Sequence, residues 1–192
     1  LLRRLLTMLA HSQGGLLNAS GLGSSLGVSY HTIQRYLDIL ENTFLVRRLP
    51  PYFRNIGKRL TRSPKIYLRD TGLLHHLLNI NSLEDLDSHP IRGASWETFV
   101  LEDIIRRERL NHPHTQVFFW RTATGDEVDL VLERGSRLIP VEIKVGHGGK
   151  TRDARKLQNT ARDLVARTVW IIDQAGGAGP DARSPTSTAT AR

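Results

Sequence analysis

Leucines at positions 1, 2, 5, 6 and 9 recur at the spacing of one helix face, and the stripe stops before Gly14-Gly15. A short second helix fits "NASGLGSSLGV" (18–28), which runs into a turn at Gly27-Val28-Ser29. Ser29 has the side chain of an N-cap, so "YHTIQRYLDILENTF" (30–44) predicts a third helix with Ile33, Leu37 and Leu40 on its apolar stripe. The period then changes. "FLVRRLPPYFRNIGKRLTRSPKIYLRD" (44–70) reads as two strands joined by a basic loop. Leu45, Leu49 and Tyr52 are expected to pack inward, with Arg47, Arg48, Arg54, Lys58, Arg59 and Arg62 in solvent.

The second half alternates differently. "GASWETFVLEDIIRRER" (93–109) predicts a helix whose broad apolar face holds Trp96, Phe99, Val100, Ile104 and Ile105, with Glu97 near its start. "QVFFWR", "EVDLVLE" and "RLIPVEIKV" are three β-rich runs, bounded by Thr122-Ala123-Thr124-Gly125 and Arg134-Gly135-Ser136. A polar helix from Asp153 to Ala166 and a last strand, "TVWIID", complete an α-β-β-β-α-β order. The chain therefore divides into 1–79, an acidic connector at 80–92, a second domain at 93–174, and a tail at 175–192 whose Gly, Ala, Ser, Thr and Pro predict disorder. The fold class is α/β (α+β), a small helical domain followed by a mixed sheet flanked by helices.

Charge sharpens the first half. The net charge is +8, and residues 1–75 hold eleven Lys/Arg against three acids, whereas residues 76–192 hold sixteen of each. A basic half beside a neutral half suggests an anionic polymer docking on one side. Helix, tight turn, helix and two strands match a winged helix. Tyr30, His31, Gln34 and Arg35 on the third helix, with Arg47, Arg48, Lys58 and Arg59 of the wing, are the candidate DNA-binding residues. The plainer alternative is a small packing domain with an arginine-rich edge, and winged helices also bind protein.

Other features exclude functions. Without cysteine there are no disulfides and no thiolate zinc, which fits a reducing compartment and a cytoplasmic location. No apolar run is long enough for a membrane span, and "LLRRLLTMLA" lacks a signal-peptide cleavage site. Because the chain opens on Leu1, it is expected to be a fragment of a longer protein. Gly149-Lys150-Thr151 imitates a phosphate-binding loop, but that pattern needs glycine where Lys144 stands, so no nucleotide site is expected in this chain. The histidines lack zinc spacing, and no G-x-S-x-G elbow is present.

The acidic residues suggest chemistry. Glu142 and Lys144 are two apart in one strand and share a face, and a neighbouring antiparallel strand could set Asp129 opposite them. Carboxylates from two strands, with a lysine alongside, are suited to hold Mg²⁺ and activate water against a phosphodiester. Lys144 would orient that water or stabilise developing charge, and Glu97 would complete the ligand set. Glu127 shares Asp129's face and lies near the same point.

Glu97, Asp129 and Glu142-Ile143-Lys144 resemble the E…D…ExK pattern of the PD-(D/E)XK nuclease superfamily, with Val128 where the pattern has proline. "KIYLRDTGL" (65–73), "GASWETFV" (93–100), "GDEVDLVL" (125–132) and "VEIKV" (141–145) resemble, more specifically, a domain of unknown function at the C-terminal end of certain bacterial and archaeal AAA-type P-loop ATPases. The resemblance spans roughly residues 1–175. It implies a missing N-terminal ATPase module as partner, then a winged helix, then a restriction-endonuclease-like core. It also implies metal-ligand roles for Asp129, Glu142 and Glu97, catalytic roles for these three with Lys144, and a structural role for Asp70. The expected function is DNA binding with Mg²⁺-dependent deoxyribonuclease chemistry. The alternatives are a non-catalytic DNA- or protein-binding module with a degenerate nuclease fold, and a plain winged-helix regulator. Assembly as a homo-oligomer is left open.

Overall fold

The computed structural model describes residues 1–53, 62–122, 125–146, 164, 166 and 169–173. Within these the chain forms two compact units. The first comprises Leu1–Leu49 with Ser63–Phe99, and the second Pro50–Arg62 with Val100–Arg192.

In the first unit, α1 (Leu2–His11), α2 (Ala19–Leu26) and α3 (Tyr30–Asn42) precede an antiparallel pair, β1 (Val46–Leu49) and β2 (Lys65–Leu68). Asn18 caps α2 by accepting from the Gly21 N–H at 2.9 Å, and Ser29 caps α3 by accepting from Thr32 at 3.1 Å. The turn between them is tight. A Cβ on Gly23 would stand 2.8 Å from the Val28 carbonyl, so only glycine lets the turn fold this closely onto α2. Leu5, Leu9, Leu22, Leu26, Ile33, Leu37 and Leu40 close on Val46, Ile66 and Leu68 to make the core. β2 also takes a partner on its other side, since Leu16 bridges Lys65 and the Gly14 and Gly15 backbones bond with Ile66.

Two further helices follow, α4 (Thr71–Leu77) and α5 (Leu83–Ser88), and then α6 (Arg92–Asn111) runs from the first unit into the second. Asp70 caps α4 through the Leu73 N–H at 2.6 Å, which gives it the structural role expected of it. α5, inside the acidic connector, starts with a capping box of Ser82 and Asp85. Gln13 ties the unit together: its amide pairs with both backbone groups of Leu68, at 2.8 and 2.9 Å, and donates to Thr98 at 2.7 Å.

The second unit holds a four-stranded sheet in the order β3 (Gln116–Arg121), β4 (Glu127–Arg134), β5 (Arg137–Ile143), β6 (Trp170–Ile172). The first three are antiparallel, and β4 and β5 join through the two-residue turn Gly135-Ser136. β6 runs parallel to β5. Parallel pairing demands a crossover, commonly helical. The helix expected there, Asp153 to Ala166, lies outside the described residues except at Leu164, which is helical, and Ala166. Trp120, Val128, Val131, Leu138 and Leu164 form the core, and Tyr52 packs against it. The tail at 175–192 also lies outside the described residues.

Several expected burials need correction. Leu1 and Leu2 of the first stripe are exposed, whereas Leu5 and Leu9 are core and Leu6 packs against it. Leu45 and Phe99 are exposed rather than packed inward, while Leu101 is buried in the stretch where Phe99 was expected. Arg47 is buried and Arg48 half-buried, against the expectation that both stay in solvent. The physical reason at Arg48 is a set of acceptors on α3, detailed below. Among the described residues no helix is long and apolar enough to cross a membrane.

Candidate functional site

Asp129, Glu142 and Lys144 lie together in the second unit. The β4–β5 ladder ends at Leu130↔Val141, so Asp129 and Glu142 are the next neighbours across the two strands. Asp129 accepts the Ile143 N–H at 2.8 Å through Oδ2, which fixes its carboxylate beside β5. Lys144 Nζ lies 2.5 Å from Glu142 Oε1. Glu142 is buried, and a buried carboxylate needs a counter-charge to remain ionised. The Lys144 backbone donates to the Ile172 carbonyl at 2.8 Å, so β6 pins the strand end that carries the pair.

A register shift singles out Asp129. Phe118 pairs with Val131 and Trp120 with Val128, so two steps along β3 match three along β4. β4 therefore carries one extra residue in the stretch containing Asp129. A bulge re-aims side chains and bends the strand locally. Nothing in "EVDLVLE" announces it, because both faces of this strand are largely buried and the alternation is lost. Glu127, two residues earlier, is engaged by Arg121 at 3.4 Å.

Two carboxylates on adjacent strands fit Mg²⁺, which is commonly held by one or two carboxylates and keeps several waters. Among the described residues no group of three or more His, Asp or Glu side chains is gathered for a metal.

Glu97 belongs to the first unit. Its Oε1 accepts from the Tyr67 hydroxyl at 2.6 Å and faces Lys65 Nζ at 3.3 Å. Lys65 and Tyr67 alternate with the core residues Ile66 and Leu68 on β2, so both reach the opposite face. This carboxylate neutralises a buried lysine.

The candidate DNA contacts divide in four, of which Arg47 is buried. Tyr30, His31 and Arg35 are exposed on α3, the first two in edge contact at 5.7 Å between centroids. Gln34 and Arg48 are engaged with each other. Arg48 donates to Gln34 at 3.3 Å, to Glu41 at 2.6 Å and to Asp38 at 2.8 Å. Burial pulls the Arg48 pKa down, but its bonds to Glu41 and Asp38 outweigh that and hold the charge more firmly than usual. Lys58 and Arg59 lie outside the described residues.

A second buried acid, Glu108 on α6, was not singled out in the sequence. It accepts both arms of the Arg134 guanidinium at 2.6 Å each, and the Thr115 hydroxyl at 2.6 Å. Its only sequence signal is an acid on a helix shared with apolar residues, which many surface acids also show.

Residues 1–84 match the family described as Domain of unknown function (DUF8612), and residues 92–176 match Domain of unknown function (DUF4143). Uncharacterized proteins of Mycobacterium tuberculosis and Mycobacterium bovis are each 48% identical over 143 residues, covering 74% of this chain and 32% of theirs. An uncharacterized protein of Haemophilus influenzae is 32% identical over 149 residues, covering 69% of this chain and 37% of its own. The chain thus spans about a third of the length of the curated relatives it matches. No solved structure matches it significantly.

Proposed function

We propose that the first unit is a winged-helix module that engages nucleic acid, and that the second is a PD-(D/E)XK-like core able to cleave a phosphodiester. The observation that carries the catalytic half is the meeting of Asp129 with Glu142 and Lys144 across β4 and β5. The order α1, Leu16 bridge, α2, α3, β1, β2 supports the winged-helix half, as does the basic excess of residues 1–75. The relatives' extra length leaves room for an ATP-binding module, so the chain is read as the C-terminal portion of an AAA-type protein.

Asp129 and Glu142 would hold the divalent ion, and Lys144 would neutralise Glu142 until a phosphate arrives. A bound Mg²⁺ would polarise the phosphoryl group and lower the pKa of a coordinated water. Asp129's bond from the Ile143 N–H keeps one oxygen directed at β5 and so orients the other. This reading gives Glu97 a different role, as the partner of Tyr67 and Lys65 within the first unit.

A second reading is a binding module without turnover. The absence of a third gathered ligand among the described residues favours it. Incubation with single-stranded, duplex and branched DNA in Mg²⁺ or Mn²⁺ separates the two. Cleavage is expected, with Lys144→Ala lowering the rate by at least about 100-fold, the scale of losing one preorganised charge. Asp129→Ala is expected to do the same. Cleavage that survives both substitutions removes the catalytic assignment, and no cleavage with any DNA leaves the binding-module reading.

A further inference from the structure

α3 ends in a Schellman-type cap, with Phe44 N–H bonded to the Glu41 carbonyl at 3.0 Å and Leu45 N–H to Leu40 at 2.9 Å. Such a cap needs one residue in the left-handed region. α2 meets the same need with Gly27 at φ 70°, but α3 uses Phe44 at φ 61°. For a bulky side chain that conformation is strained. Packing is the ordinary compensation for a large aromatic held this way, yet Phe44 is 71% exposed. Ile39, near the same helix end, is 54% exposed, and Leu45 is also exposed. The Arg69 guanidinium carbon lies 5.5 Å from the Phe44 ring centroid, and Arg35 is exposed one turn before Ile39.

We propose that Phe44 is a stacking platform for an unpaired nucleobase, with Arg69 over its ring and Arg35 farther up α3 drawing phosphates of the same strand. The proposal rests on the nucleic-acid reading of the first unit and deepens it: the favoured substrate is single-stranded or locally opened nucleic acid. Charge complementarity selects this occupant over a protein segment, since the Arg69 guanidinium lies over the ring and Arg35 is exposed on the same helix. Every base offers a π face, so a ring of this kind binds strand without regard to sequence. The ring's exposure and the backbone strain are independent observations, and a base stacked on Phe44 accounts for both.

Fluorescence anisotropy with a dye-labelled oligothymidylate and with a matched duplex tests this on the chain as it stands. Phe44→Ala and Phe44→Gly are expected to weaken single-strand binding roughly 10-fold, the scale of losing one stacked base. Duplex affinity is expected to hold, and Phe44→Trp to retain single-strand binding. Phe44→Gly also relieves the backbone strain, so its melting temperature is expected to equal or exceed the parent's, which separates lost binding from lost folding. If the parent binds both DNAs and neither small substitution alters single-strand affinity, the platform is wrong while the nucleic-acid reading stands. If the parent binds no nucleic acid, the reading beneath it fails, and the platform with it. Should Phe44→Gly leave DNA binding intact and change only self-association in sedimentation, the surface is a protein contact and the proposal is overturned.

Discussion

Glu97→Ala is expected to destabilise the first unit by about 3 kcal/mol, at the lower end for breaking a buried ion pair, because Glu97 itself retains some exposure. The Lys65 side chain is only 4% exposed and that of Glu97 19%. Removing the carboxylate takes an ion-pair partner from a desolvated ammonium and an acceptor from the Tyr67 hydroxyl at 2.6 Å. A loss of that size lowers the melting temperature by about 12–24 °C in a unit of this size. Restoring neutrality is expected to recover most of it, so Lys65→Met with Glu97→Leu should melt well above Glu97→Ala alone. Thermal denaturation of the parent, Lys65→Met, Glu97→Leu and their pair closes the cycle, with Glu97→Ala melted beside them. The outcome also decides what Glu97 is for. A carboxylate kept only for a metal loses nothing thermally when removed, and often gains, because crowded negative charge is relieved. A single variant as stable as the parent therefore returns Glu97 to the ligand set.

The second large effect lies at the other end of α6. Glu108→Ala is expected to cost the second unit about 3 kcal/mol, since it strands the Arg134 fork and the Thr115 hydroxyl together. The same pair predicts a pH dependence. Burial pushes the Glu108 carboxyl up, but the bonds from Arg134 and Thr115 outweigh it and hold the pKa below its ordinary 4.5. A depressed carboxylate pKa means that its stabilisation is fully present above pH 4.5 and disappears as pH falls through the lower, folded-state value. Urea melts between pH 7 and pH 3 check the sign. The parent should lose stability below pH 4.5, and Glu108→Gln should lose less over that interval while starting lower. An identical acid loss in the two proteins would assign it to other carboxylates.

How far the sequence revealed this depends on the kind of signal. The helices announced themselves because their stripes and caps are local: Ser29 and Asp70 cap as read, and Leu5, Leu9, Ile33, Leu37 and Leu40 are core. β4 and β5 were legible from turn residues on either side. The bridge at Leu16 was not, because a short stretch beside two glycines carries no period at all. Charge misled where it had partners. Arg47 and Arg48 look wet in "LVRRLPP", yet Arg48 meets Gln34, Asp38 and Glu41, which are distant in the chain and near only after α3 folds.

The candidate site shows the same division. Glu142 and Lys144 are linked by spacing within one strand, so their shared face could be read directly, and Asp129 was placed opposite them by assuming an antiparallel neighbour. That neighbour is present, with a bulge at Asp129 that no local pattern encodes. Glu97 shows a further limit. Its partners sit 30 and 32 residues earlier on β2, a pairing no motif spacing could supply.

The most direct test of the central proposal is binding of Mn²⁺, followed by its electron paramagnetic resonance signal, to the parent chain and to Asp129→Asn and Glu142→Gln. The expected result is a saturable site in the parent that both substitutions remove, with Glu97→Gln leaving it intact. Mn²⁺ binding indifferent to Asp129 and Glu142, or none at all in the parent, would contradict the assignment of the β4–β5 carboxylates as a metal centre.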